Sequence, residues 1–231
     1  GLPYIVMNYV DGLSLSQRIA KQGPLKPSHA AQVAQQIAEG LQAAHRQGLV
    51  HRDVKPGNIL IERTTSRAKI SDFGLVRVSE GERFTHEDVI PGTPEYMSPE
   101  QFERPDDVDA RSDVYSLGVT LYEMLAGETP FRGQPHMIAH QVVHEDPAPP
   151  RSLNDNVPVD LQTICLKAMS KDPRRRYASA AEMGEDLARW RNGEPVKARP
   201  IGRREQMHKW VKRHPTVAGL TALVVIVSVI G

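Results

Sequence analysis

Four polar side chains stand in an order that suits the handling of a charged group: Asp53, Lys55 and Asn58 within His51-Arg52-Asp53-Val54-Lys55-Pro56-Gly57-Asn58, and Asp72 in Asp72-Phe73-Gly74. A carboxylate can take the proton of an attacking hydroxyl. Lysine is a point charge on a flexible stem that can follow negative charge as it spreads over phosphate oxygens. An amide oxygen and a second carboxylate are the hard donors that Mg2+ accepts, one or two at a time, beside phosphate and water. Together these are the requirements of phosphoryl transfer, which asks a protein for placement and charge rather than covalent chemistry. Singly each is weak: Asp53 could be a surface carboxylate, and Asp72-Phe73-Gly74 a turn. The weight lies in the order, which runs from polar loop through short strands, second carboxylate and long unpatterned loop to Pro99-Glu100 and an apolar helix.

Elements able to position these residues are legible around them. Residues 4–7 form a strand-like apolar run closed by the turn signal Asp11-Gly12, and Ser14 is placed to cap a short helix ending about Ala20. Ala30, Val33, Ala34, Ile37, Ala38, Leu41 and Ala44 repeat at helical spacing from Ser28 until Gly48. Leu49-Val50, Ile59-Leu60-Ile61 and Ala68-Lys69-Ile70 read as small strands presenting loops, and residues 77–99 as one long functional loop. Residues 112–126 leave almost no polar face, which predicts a helix buried nearly all round. Further amphipathic helices are expected over 135–143, 160–169 and 179–190.

The 231 residues, 39% hydrophobic and 25% charged, suit one globular domain with an appendage rather than a disordered chain. The single cysteine, Cys165, excludes an internal disulfide and a thiol metal cluster, and is expected in the core. The net charge of +1 is uneven: from Lys197 onward seven Lys and Arg face Glu205 alone, leaving the preceding chain at −5.

With these motifs in hand the chain resembles the eukaryotic-like (Hanks-type) serine/threonine kinases of bacteria, over nearly its whole length. Val54 stands where Leu is usual, and Ser98 where Ala is usual before Pro99-Glu100. The resemblance implies an α+β protein-kinase fold, here the hinge strand and helical C-terminal lobe over 1–192, with ATP and Mg2+ as cofactors and protein Ser/Thr hydroxyls as substrates. It makes Asp53 the base, Lys55 the phosphate charge, and Asn58 and Asp72 the metal ligands. Met7 becomes the gatekeeper, with the backbone of Asn8 and Val10 on adenine. Lys55, rather than the Ala and Arg of tyrosine kinases, points to a Ser/Thr acceptor, and Gly92-Thr93-Pro94-Glu95-Tyr96-Met97 resembles the loop that seats the residue after the phosphoacceptor, with Thr93 near Asp53 and Lys55. Asp113 is implied to tie down the catalytic loop and Glu100 to pair with Arg176; the plainer reading of Arg176 is a solvated basic run, which suits Arg174. Arg52 beside Asp53 implies control by phosphorylation at Thr85, with Glu87 as a permanent negative charge in place of a second phosphate; Glu87 as one more solvated acid is the plainer reading. A second copy of the chain would then be a partner, for autophosphorylation.

No Gly-rich phosphate loop and no strand lysine with its helical glutamate are present, so the chain is expected to be a fragment and nearly inactive alone. Residues 193–214 form a basic juxtamembrane linker. From Thr216 to Gly231 no residue is charged and nine of sixteen are Val, Leu or Ile, the start of a truncated membrane helix over 215–231 with Lys209, Lys212 and Arg213 on its cytoplasmic flank. This places the kinase in the cytoplasm on a single-pass anchor in the bacterial cytoplasmic membrane, in contact with the lipid bilayer. A buried core helix is the competing reading; a nucleic-acid-binding tail would not explain the apolar run, so no nucleic acid is expected. Rival functions are a pseudokinase and a membrane-tethered adaptor.

Overall fold

Helix and strand signals in the sequence become a three-stranded antiparallel sheet leaning on seven α-helices, as seen among residues 9–73 and 92–198, which the computed structural model describes. Strand β1 (Gly12–Ser14) pairs with β2 (Ile59–Glu62), and β2 with β3 (Ala68–Ile70), in register Leu13 to Ile61 and Ile59 to Ile70. The sequence marks Asp11-Gly12 as a turn, but Arg63 N–H donates to Asp11 O, so this stretch runs along β2 instead. Only glycine fits at position 12, where a Cβ would stand 2.0 Å from the Ile61 carbonyl oxygen.

Ser14 caps α1 (Leu15–Gln22) with a reciprocal box: its Oγ accepts from Gln17 N–H while Gln17 Oε1 accepts from Ser14 N–H. Helix α2 (Pro27–His45) starts on proline, whose missing N–H costs nothing at that position. Its expected stripe is buried from Ala30 to Leu41. Leu49-Val50 forms no strand: Leu49 N–H is spent on Ala44 O at the helix end, and the side chain is exposed. Helix α3 (Pro99–Glu103) emerges from the end of the stretch expected to be loop, started by the Ser98 and Gln101 capping box.

Helix α4 (Ala110–Ala126) is the axis of the molecule. Every residue from Ser112 to Tyr122 is buried, as its lack of a polar face predicts, with Asp109 capping its start and Gly127, at φ 86°, closing its end. Around it pack α2, α6 (Val159–Ala168) and α7 (Ala180–Arg191), while α5 (Pro135–His144) packs on α3. A Cβ on Gly118 would come 2.8 Å from that of Ala168, so glycine sets the close approach of α4 and α6. Cys165 is fully buried there. On α7 the fully buried Asp186 accepts from Tyr177 Oη at 3.0 Å and from the backbone N–H of Lys197 and Ala198 at 2.7 and 2.8 Å.

This burial fixes the response to alkali. Tyr122 is pushed up to about 12 by burial, and Tyr96, Tyr115, Tyr177 and Cys165 are raised too, chiefly by the same desolvation. These groups keep their protons when folded and lose them when unfolded, so their contribution is present below the ordinary values of 9 to 10 and fades as pH rises past them. Lys171, whose desolvation against α5 lowers it to about 8, acts oppositely between 8 and 10.5. One group cannot offset five. The thermal unfolding midpoint is therefore expected to hold or rise slightly to pH 9 and then fall through pH 10–11. Tyr115→Phe, which removes a buried hydroxyl that finds no partner among the described residues, should flatten that fall.

Candidate active site

The loop 51–58 is built from its buried residues outward. His51 is 1% exposed, and its Nε2 meets Ser71 O at 2.9 Å while Nδ1 accepts from Asp53 N–H at 3.3 Å. That pair of partners puts the ring proton on Nε2. The ring also lies 4.6 Å from Phe73, which joins the two motifs. Val54 and Pro56 are buried, and Pro56 opens a single 3-10 turn ending at Asn58. Below the loop, Asp113 on α4 accepts from the backbone N–H of His51 at 2.8 Å and of Arg52 at 2.7 Å, and contacts His45 Nε2 at 2.7 Å. Gln101 on α3 donates to Arg52 O.

Arg52 and Asp72 hold φ of 65° and 61°, the left-handed region that non-glycine residues enter at a cost of about 1–3 kcal/mol. Both lie next to polar side chains of the same site. The Arg52 backbone is held on both sides, its N–H donating to Asp113 and its carbonyl accepting from Gln101. Asp113→Asn keeps one acceptor oxygen and orphans a buried donor, so it should cost roughly 1–3 kcal/mol by urea unfolding.

At the surface of this platform the polar groups converge. Asp53 Oδ2 accepts from Lys55 Nζ at 2.9 Å and from Asn58 Nδ2 at 2.8 Å, and the same amide donates to Asp53 O at 2.9 Å. Lys55 also donates to Thr93 Oγ1 at 2.9 Å. Asp53 and Lys55 keep 30% and 22% of their side chains open to solvent, enough for a reacting group to reach them. Because its NH2 is committed to Asp53, Asn58 offers its amide oxygen as the remaining donor. Asp72 is exposed, with one carboxylate oxygen accepting from Ser71 Oγ at 3.1 Å. Two hard oxygen donors from separate loops fit Mg2+, which takes few ligands from protein.

The segment from Thr93 onward is held by α4. Tyr96 Oη donates to Glu123 at 2.5 Å, Ser116 Oγ donates to Tyr96 O at 2.7 Å, and Ser98 and Ser112 hydroxyls meet at 2.7 Å. Burial, with Glu95 adding like charge, raises the Glu123 carboxyl. Further out, Arg176 reaches Glu100 through both terminal nitrogens at 2.6 and 2.7 Å. Its other N–H groups go to Ser170 O, Arg111 O and Lys171 O. Burial favours the neutral Glu100 carboxyl, but the paired guanidinium overrides it and holds the group below its ordinary value. Arg174 is solvated and turns to Asp172.

Of the residues singled out by sequence, the structure brings Asp53, Lys55, Asn58, Thr93 and Asp113 into one network and joins Glu100 to Arg176. Val10 precedes β1 and takes no part in that network. Met7, Asn8, Thr85, Glu87 and the linker and anchor beyond Ala198 lie outside the described residues. No helix among the described residues is long and apolar enough to cross a membrane. His45, Ser71, Gln101 and Glu123 were not singled out. Their roles depend on contacts between residues far apart in sequence, and only Gln101, three residues after Ser98, carried a local capping signal.

A family model described as protein kinase domain matches residues 3–186. The serine/threonine-protein kinase PknB of Mycobacterium tuberculosis is 48% identical over 200 residues, covering 85% of this chain and 32% of that protein. PknB of Mycobacterium leprae is 46% identical over 199 residues, covering 85% and 32%. The chain thus spans about a third of the length of these curated relatives. Among solved structures, a mutant form of the Mycobacterium tuberculosis PknI kinase domain superposes with a TM-score of 0.61 at 24% identity, covering 79% of this chain and 63% of that one.

Proposed function

The chain belongs to the protein kinase family, and from that premise we propose that it transfers the γ-phosphoryl group of ATP to serine or threonine hydroxyls of proteins, a reading supported by its likeness to PknB, which is named a serine/threonine-protein kinase. The observation that carries this reading is the hydrogen-bonded set Asp53, Lys55, Asn58 and Thr93 on a loop braced by Asp113. Asp53 accepts the proton of the attacking hydroxyl, and Asn58 holds its carboxylate in place. Lys55, shared between Asp53 and Thr93, neutralises charge on the transferring phosphoryl oxygens. Asn58 and Asp72 would hold Mg2+, which when bound screens the phosphates. The backbone at Asn8 and Val10, with Met7 beside it, would receive adenine.

Residues 1–192 form the kinase domain, 193–214 a basic linker and 215–231 the start of a membrane helix, which holds the domain at the cytoplasmic face of a bacterial membrane. Autophosphorylation between two copies at Thr85 would engage the exposed Arg52, with Glu87 supplying basal charge. The test is transfer of labelled phosphate from ATP to a Ser-containing and a Tyr-containing peptide by the gene product that carries this chain. Labelling of Ser alone supports the reading; no labelling of either, with Mg2+ and ATP bound, overturns it.

A further inference from the structure

Helix α5 carries His136, His140 and His144 at four-residue intervals, a spacing that sets side chains one above another on a single helix face. All three are exposed, while Ile138 and Val142 on the opposite side are buried against the body of the fold. The face is therefore turned away from the core, and none of the residues assigned above to phosphoryl transfer lies on it.

The two C-terminal members of the row are already close. The rings of His140 and His144 stand with centroids 4.7 Å apart and planes at 56°. Two imidazoles bound to one ion at about 2.0–2.1 Å and near a tetrahedral angle have centroids roughly 5 Å apart, so the spacing of these rings matches that of a shared ion. His140 also has Glu145 Oε1 3.9 Å from its Nδ1. At that distance the carboxylate makes no hydrogen bond to the ring, but it places a negative charge beside any cation that the ring would hold.

We propose that His140 and His144 form a surface site for a borderline transition-metal ion such as Zn2+, with the Glu145 carboxylate adding negative charge beside it. No group of three or more His, Cys, Asp or Glu is gathered for a metal among the described residues. The ion's remaining positions therefore go to water or to a group on a docking partner. Imidazole nitrogen selects Zn2+ over Mg2+, which prefers oxygen, so this site is chemically separate from the one that would serve ATP. It also sits on the outer side of the helix that packs against α3 and the turn Pro94–Tyr96.

The experiment is calorimetric titration of ZnCl2 into the gene product in excess Mg2+, with circular dichroism confirming that each variant folds. One saturable Zn2+ site is expected, weakened at least ~10-fold by His140→Ala and by His144→Ala. Glu145→Gln, which removes only a nearby charge, should weaken it by less than either histidine replacement, and His136→Ala should leave it unchanged. His140→Gln serves as the second variant if the alanine replacement fails to fold. Zn2+ binding that survives the His140 and His144 replacements, that depends on His136 alone, or that Mg2+ abolishes would overturn the assignment. The readout needs no catalytic activity, so failure of the kinase reading would not affect it.

Discussion

Asp53→Asn is expected to lower turnover by roughly 10²- to 10⁴-fold, the usual contribution of a positioned general base. The replacement is nearly isosteric, and an amide oxygen can still accept from one of the two donors that meet Asp53, Lys55 Nζ and Asn58 Nδ2. The loop itself should survive, because its backbone is held from below by Asp113 and by the buried His51, Val54 and Pro56. What disappears is the proton acceptor, along with the negative charge that sets the position of Lys55. ATP affinity should barely move, since the carboxylate is assigned to the hydroxyl rather than to the nucleotide. Initial rates on a peptide, set beside nucleotide binding by fluorescence, separate the two effects. Near-normal turnover would remove Asp53 from the mechanism, and a parallel loss of nucleotide binding would show that its role is structural.

The second large effect is one of stability. The Arg176 side chain is fully buried and that of Glu100 is 6% exposed, so Glu100→Ala strands a guanidinium in the interior at a cost on the order of 3 to 5 kcal/mol. Arg176→Ala should cost a similar amount for a wider reason. It strands Glu100 and also leaves Ser170 O, Arg111 O and Lys171 O without their donor. Arg176→Lys should rescue little, because one ammonium cannot reproduce a planar fork serving five acceptor contacts. Removing both partners should cost clearly less than the two single losses added together, and a double-mutant cycle by urea denaturation measures that coupling. Strict additivity would mean that the pair does not act as a unit.

How much of this was legible in advance depended on how local each signal is. The burial of α4 was open to view because an apolar run with no polar face has few other fates, and the α2 stripe because its period is long enough to count. The grouping of Asp53, Lys55 and Asn58 lay within a single loop. By contrast β1 and α3 span three and five residues, too short for any period, and β1 exists only because β2 offers it a ladder. The contact of His45 with Asp113 joins residues 68 positions apart, and nothing in either neighbourhood announces it. The left-handed backbone at Arg52 and Asp72 was equally hidden, since neither residue type requires it. Such strain follows from the surrounding contacts and so appears only once those contacts are known.

Asp186 gives the fold a mechanical property as well as a chemical one. Its single carboxylate grips the backbone at both Lys197 and Ala198 and is itself steadied by the Tyr177 hydroxyl. A pull on the chain beyond Ala198 would meet first the Ala198 and then the Lys197 hydrogen bond, both held by one buried carboxylate. The force passes next into α7, which lies along α2, the helix that leads to the loop bearing Asp53. Tension applied there would reach the frame of the molecule through Asp186.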